Sequence, residues 1–134
     1  MTTRREARRR AIDILFQADV TGRDPGEVLS EWRDAGREVD AFAQELLEGV
    51  AAHRAEIDEA ISGHAEHWTI ERMASLDRTI LRVACHELLH RSDVPASAAI
   101  SEAVAIAKEL STEDSGRFVN GILGEIARGV GDRA

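Results

Sequence analysis

Residues 76–91 read Leu-Asp-Arg-Thr-Ile-Leu-Arg-Val-Ala-Cys-His-Glu-Leu-Leu-His-Arg. Ile80, Leu81, Ala84 and Leu88 recur at the three- and four-residue spacing of one helical face, with no Gly or Pro to interrupt it. Asp93-Val94-Pro95 stops the pattern. The same period returns in both directions along the chain. Toward the C-terminus it predicts a helix over about 96–110, carried by Ile100, Ala103, Ala107 and Leu110. A polar turn at 111–115 follows, then a last helix over about 115–130 with Phe118, Val119, Ile122, Leu123 and Ile126.

Toward the N-terminus, Trp68-Thr69 opens a short helix with Thr69 as its cap, and Gly63 closes a long one over about 39–62. The stripe of that long helix is Phe42, Leu46, Leu47, Val50, Ile57 and Ile61. Asp24 caps a further helix, with Pro25 at its first position and Val28, Leu29 and Trp32 on its apolar face. The first helix spans about 3–20, with Ala7, Ala11, Ile14, Leu15 and Ala18 inward. No run alternates like a strand. The expected fold is all-α, a single domain over 1–134 with about seven helices, three before Gly63 and four after it. Two packed helical bundles, about 3–63 and 68–130, are the economical arrangement.

Of the 134 residues, 43% are hydrophobic and 31% charged, enough for a core and a solvated surface. One cysteine, Cys85, rules out an internal disulfide and reads as a small core residue. No apolar run approaches a membrane span, and no hydrophobic segment follows the N-terminal charges as in a secretory signal, so a cytoplasmic protein is expected.

The net charge of -8 speaks against nucleic acid until its distribution is read. Residues 4–10 hold Arg4, Arg5, Arg8, Arg9 and Arg10 against the single Glu6, whereas the whole chain has one lysine, Lys108. On a helical wheel Arg5, Arg9 and Phe16 share a stripe about 120–160° from the inward Ala11. Arginine forks phosphate and stacks on bases, and an exposed aromatic beside it suits single-stranded RNA. Arg4 and Arg8 lean toward the core face, close enough to the free end to reach outward. A merely solvated basic end fits the residue types equally well. The arginines oppose the helix dipole, at roughly 0.3–1 kcal/mol each when exposed, and a bound anion would relieve this.

His86-Glu87-Leu88-Leu89-His90 spells the H-E-x-x-H of zinc peptidases. On the wheel both histidines lie about 200–240° from Ala84, toward solvent or a partner, with Glu87 near the edge of the core face. No strand is at hand to hold a substrate. The reading is therefore no catalytic residue, no metal site and no cofactor. His53, His64 and His67 also suggest metal, but His64 and His67 flank a helix end where imidazolium complements the dipole.

Beyond these local patterns, the chain resembles the NusB family along its whole length. The resemblance is carried by Arg4-Arg5-Glu6-Ala7-Arg8-Arg9-Arg10-Ala11-Ile12-Asp13-Ile14-Leu15-Phe16-Gln17, by Leu76-Asp77-Arg78-Thr79-Ile80-Leu81-Arg82-Val83-Ala84, and by Glu87-Leu88 with Asp93-Val94-Pro95. It is most specific in Ile100-Ser101-Glu102-Ala103-Val104, Ala107-Lys108, and Asp114-Ser115-Gly116-Arg117-Phe118-Val119-Asn120-Gly121-Ile122-Leu123. The alanine- and arginine-rich style resembles actinobacterial members.

The resemblance implies a non-enzymatic transcription antitermination factor with a fold of two helical bundles. It implies binding to boxA RNA of ribosomal RNA operons together with NusE, a small ribosomal-subunit protein, in the RNA polymerase antitermination complex. By position it implies RNA contacts for Arg4, Arg5 and Arg8. Arg9 joins them from the wheel. Phe16 falls where the family usually has tyrosine, which leaves stacking but removes a hydroxyl. Arg117 and Phe118 match a basic-aromatic pair near the RNA, although Phe118 fits its own helix stripe equally well. Asp114 matches an acidic position linked to RNA affinity and is equally a helix cap. Asp77 and Arg78 fall in the segment expected to face NusE. Two other classes are weighed. One is a protein-interaction module, or a homodimer that hides the arginines. The other is a domain serving an RNA methyltransferase, against which the chain shows no glycine-rich nucleotide loop after a strand.

Overall fold

The computed structural model describes residues 2–65 and 69–131. Seven α-helices and one 3-10 turn make up its regular structure, with no strand among the described residues. They are α1 (Arg4–Thr21), α2 (Pro25–Asp34), α3 (Ala41–Ala52), α4 (Arg54–Ser62), the turn Ile70–Arg72, α5 (Ser75–His90), α6 (Ala96–Leu110) and α7 (Glu113–Gly131).

Local chemistry sets most boundaries. Thr3 Oγ1 accepts from the Glu6 amide to open α1, and Asp24 accepts from Gly26 N ahead of Pro25 at the start of α2. Gly22, at φ 67°, takes the left-handed conformation that ends α1. Asp40 accepts from Ala43 N and opens α3. Thr69 precedes the 3-10 turn, but its side chain makes no capping bond. Trp68 and His67 lie outside the described residues.

The long helix expected over 39–62 is two helices. The chain breaks at His53, where φ is -112° and ψ 20°. Neither Gly nor Pro stands there, and the stripe Val50, Ile57, Ile61 runs across the break without changing period. The cause is tertiary: α3 and α4 both pack on α5, and the kink lets each half follow it. The His53 ring stacks on His90 of α5, with centroids 3.7 Å apart.

Helix α5 is the centre of the molecule. It packs against α1, α3 and α4 and also against α6 and α7. Every residue from Thr79 to Glu87 is buried, so the expected single inward face is a helix enclosed nearly all round. The buried apolar residues form one continuous core that includes Ile12, Ile14, Leu46, Ile57, Leu81 and Leu123. Each contributes about 1.5–3 kcal/mol through removal from water. Cys85 is buried as expected, and burial, reinforced by Glu56 and Asp58, pushes its thiol up to about 12.

Enclosing α5 also encloses its polar side chains, and each needs a partner. Arg8 of α1 answers Glu87 with two bonds of 2.8 Å, Nε to Oε1 and Nη2 to Oε2. The two side chains are 8% and 1% exposed. Arg82 donates to both carboxylate oxygens of Asp58, at 2.8 and 3.1 Å. Arg78 and Ser75 both donate to Asp19 Oδ2 of α1. Burial pushes Asp19 up, but the bonds from Arg78 and Ser75 outweigh it and hold the carboxyl below its ordinary value of 3.8.

Removing one member of a buried pair strands the other. Arg8→Ala should therefore lower unfolding stability in urea by about 3–5 kcal/mol, whereas Arg8→Met with Glu87→Leu should recover most of the loss. Asp19, depressed in the folded state, adds stability that is complete above its ordinary pKa and is lost as pH falls through its folded value. Urea midpoints measured below about pH 4 should thus decline less steeply in Asp19→Asn than in the parent chain.

Candidate nucleic-acid interface

The exposed edge of α1 runs beside α6. Arg4 Nη2 reaches Asp93 Oδ2 at 3.1 Å, just ahead of α6. Arg5 forks Glu102 of α6, Nε to Oε2 at 2.8 Å and Nη2 to Oε1 at 2.9 Å. Arg9 Nη1 reaches Glu109 at 3.0 Å, in the last turn of α6. Arg5 remains 70% exposed in spite of its pair. Its fork, opposed by partial burial and aided by the nearby Arg5 charge, holds Glu102 below its usual range. Asp93 is drawn down to about 2, first by hydrogen bonding from Arg91 and then from Arg4.

Arg8 does not reach outward. Its guanidinium is buried against Glu87, so the expected row of Arg4, Arg5, Arg8 and Arg9 presents Arg4, Arg5 and Arg9 at the surface. The wheel placed Arg8 at the margin of the core face. The charge of Glu87, inside α5 and 79 residues away in sequence, pulls it in.

Phe16 is half-buried on the outer side of α1. Beside it, Glu6, Arg9, Arg10, Asp13, Trp32 and Arg37 line a cleft between α1 and α2. Arg37 lies over the Trp32 ring, 3.3 Å from its centroid, and Gln17 accepts from Trp32 Nε1 at 3.1 Å. Burial raises the Asp13 carboxyl there, against the pull of Arg9 and Arg37. Phe42 of α3 carries the guanidinium of Arg4 on its face at 4.6 Å, with Arg91 at 5.1 Å. Sequence reasoning assigned Phe42 to the apolar stripe only, and nothing in the local pattern couples it to residue 4.

From the last turn of α6 the chain passes through Ser111-Thr112 into α7. The arginine edge of α1 therefore leads, past Glu109, to the first turn of α7. Arg117 is exposed there and paired with Asp114. Asp114 also sits where an acidic side chain suits the helix dipole. Phe118 is half-buried and lines a second cleft with Arg72, Met73, Asp77, Asp114 and Ser115. Asp77 Oδ2 accepts from Ser115 Oγ at 3.3 Å, while its Oδ1 is buried with no partner among the described residues. Arg78, expected beside it on a partner-facing surface, turns inward instead. It donates to Asp19 and to the Ile70 carbonyl oxygen at 2.9 Å.

In the H-E-x-x-H segment His90 is exposed as the wheel placed it, but His86 and Glu87 are not where it put them. His86 is 5% exposed, and Glu87 lies in the core rather than at its edge. Glu87 is shut away from solvent with both oxygens accepting from Arg8, so it does not face a substrate as a peptidase general base would. His64 meets Glu125 of α7, Nδ1 to Oε2 at 3.0 Å.

Comparison with known proteins agrees with this arrangement. The sequence profile of the NusB family matches residues 5–128. The transcription antitermination protein NusB of Saccharopolyspora erythraea is 49% identical, over 99% of this chain and 91% of its own. Among solved structures, NusB of T. maritima superposes with a TM-score of 0.86 at 38% identity, covering 95% of this chain and 92% of that one. A chain from the crystal structure of the antitermination factors NusB and NusE in complex with dsRNA gives 0.83 at 28% identity, with 94% and 96% covered. The helical fold, the arginine-edged first helix and a match running nearly end to end converge: the chain belongs to the NusB family.

Proposed function

We propose that the chain is a transcription antitermination factor that binds boxA-type RNA along the α1 edge and the first turn of α7. It acts together with a NusE-type ribosomal protein in the RNA polymerase antitermination complex. The observation that carries this reading is the row Arg4, Arg5 and Arg9, held at the surface by carboxylates of α6 and its approach. Exposed ion pairs of this kind are worth about 0–1 kcal/mol each, so phosphate can replace the carboxylates at little cost. Asp93, Glu102 and Glu109 thus keep the arginines extended and ordered in the absence of RNA. They also explain how an acidic protein can present a phosphate-binding edge. Phe16 and Arg37 on Trp32 supply flat faces for unpaired bases.

Family membership and the related complex support the pairing with NusE. The largely apolar cleft beside Phe118, with Asp77 in its wall, is the surface that best suits a docked protein chain. The absence of catalysis is part of the same reading, since Glu87 serves the core. Among the described residues no helix is long and apolar enough to cross a membrane, which suits a factor acting on cellular RNA polymerase.

The decisive experiment is a fluorescence titration with boxA-containing and scrambled RNA, single- and double-stranded, with and without NusE. Arg5→Ala with Arg9→Ala should weaken boxA binding at least about ten-fold and reduce the salt slope by about 1.4, at 0.7 per lost phosphate contact on a single strand. Helicity and melting temperature should stay near those of the parent, because both side chains pair only at the surface. Unaltered affinity would remove the α1 edge from the interface. Glu102→Gln should act in the opposite direction, freeing Arg5 and raising affinity by up to about five-fold at low salt.

A further inference from the structure

The break between α3 and α4 brings a histidine cluster together that the RNA-binding edge does not use. His53 stands at the break, Glu56 one turn into α4, and His90 in the last turn of α5. One donor atom from each lies within 4.8 Å of the others. Glu56 Oε2 is 3.2 Å from His90 Nε2 and 4.0 Å from His53 Nδ1. Ligand atoms around a tetrahedral zinc with bonds near 2.0–2.2 Å stand roughly 3.3–3.5 Å apart, so these distances bracket the required edge.

The neighbouring charges leave this carboxylate available. Asp58 is held by Arg82 and Arg54, and Glu45 and Asp93 are held by Arg91. Among the described residues Glu56 meets no arginine, and its ion-pair partners there are the two histidines.

His86 supplies an independent observation. It is buried, and its Nδ1 has no hydrogen-bond partner among the described residues. Such an orphaned polar atom is costly without a ligand. Its ring centroid lies 5.9 Å from that of His53 and 5.6 Å from that of His90. Its donor atoms fall outside the group formed by His53, Glu56 and His90, so the His86 ring walls the cluster rather than joining it as a ligand. The ring is seated over the bare backbone of Gly49, where a Cβ would fall 2.1 Å from its Cε1. All three rings are stacked, His53 on His90 at 3.7 Å and 14° between planes, and His86 against both at 17° and 28°. Because an imidazole lone pair lies in the ring plane, the His53 and His90 rings must turn edge-on to share an ion. Those two side chains are 40% and 26% exposed, so their rings can turn edge-on without disturbing the core.

We propose that His53, Glu56 and His90 form a binding site for one divalent late first-row transition ion, zinc by preference of its nitrogen and carboxylate ligands, with water in the fourth position and the buried His86 ring as its wall. The ion joins the α3–α4 break to the last turn of α5. With Glu87 bound to Arg8, the site is a staple rather than a hydrolytic centre, and its effect is on the stability of the fold.

The test uses full-length protein purified without a histidine tag and stripped by chelator. Zinc is titrated in competition with a chromophoric chelator, and cobalt is used to read coordination geometry from its visible spectrum. One ion per chain bound at micromolar affinity or tighter is expected, with a tetrahedral cobalt spectrum and a zinc-dependent rise in melting temperature. His53→Gln and His90→Gln, both near the surface, should each weaken binding by about ten-fold or more and remove the thermal shift. His64→Gln, which meets Glu125 elsewhere, should change neither. Affinity weaker than micromolar in the parent, or zinc held equally well by the His53→Gln and His90→Gln variants, would overturn the site.

Discussion

Between α1 and α5, Arg8 and Glu87 meet in a fork shut away from water. An unanswered charge at that depth would cost several kcal/mol, so α1 cannot rotate or slide on α5 without exposing or stranding one of the two. This pair fixes the direction of the first helix. With Arg8 turned inward, Arg4, Arg5 and Arg9 are left on the outer edge beside α6, and Phe16 stays half-buried. The proposed RNA-binding edge is therefore set by a core interaction: one arginine of the basic segment is buried while its neighbours stay at the surface.

The central position of α5 explains a second group of features. A helix enclosed by five others must satisfy Arg78, Arg82, His86 and Glu87 internally, and the partners come from α1 and α4 through Asp19, Asp58 and Arg8. In this group the His86 Nδ1 and the Arg78 Nε keep no partner among the described residues, and His86 is the one whose side chain makes no other hydrogen bond there. The same enclosure bends the α3–α4 segment at His53 and carries that ring onto His90. Two irregularities, a helix break without a breaking residue and a buried imidazole without a bond, thus meet in one place.

The acidic character of the molecule has a use on the arginine edge. Asp93 ahead of α6 and Glu102 and Glu109 on it oppose Arg4, Arg5 and Arg9, which offsets crowding of like charge near a helix N-terminus and its unfavourable dipole. Because these pairs are exposed, they are weak and exchangeable. Net charge alone was a poor guide here; the depth of each pair separates the arginine that belongs to the core from those available to a phosphate.

From sequence alone the helical class, the Asp24 cap with Pro25 behind it, and most of the core stripe were legible, because they depend on residues within one or two turns of each other. The basic segment and the family likeness were legible for the same reason, as contiguous residue types. The inward turn of Arg8 and Arg78, the burial of His86 and the break at His53 were not. Each depends on a charge or a helix more than thirty residues away, and a helical wheel gives a direction without saying what stands there. The sequence determined which side chains α1 and α5 carry and at what angles. Tertiary packing decided which of them meet water, because the partners of a buried charge come from elsewhere in the chain.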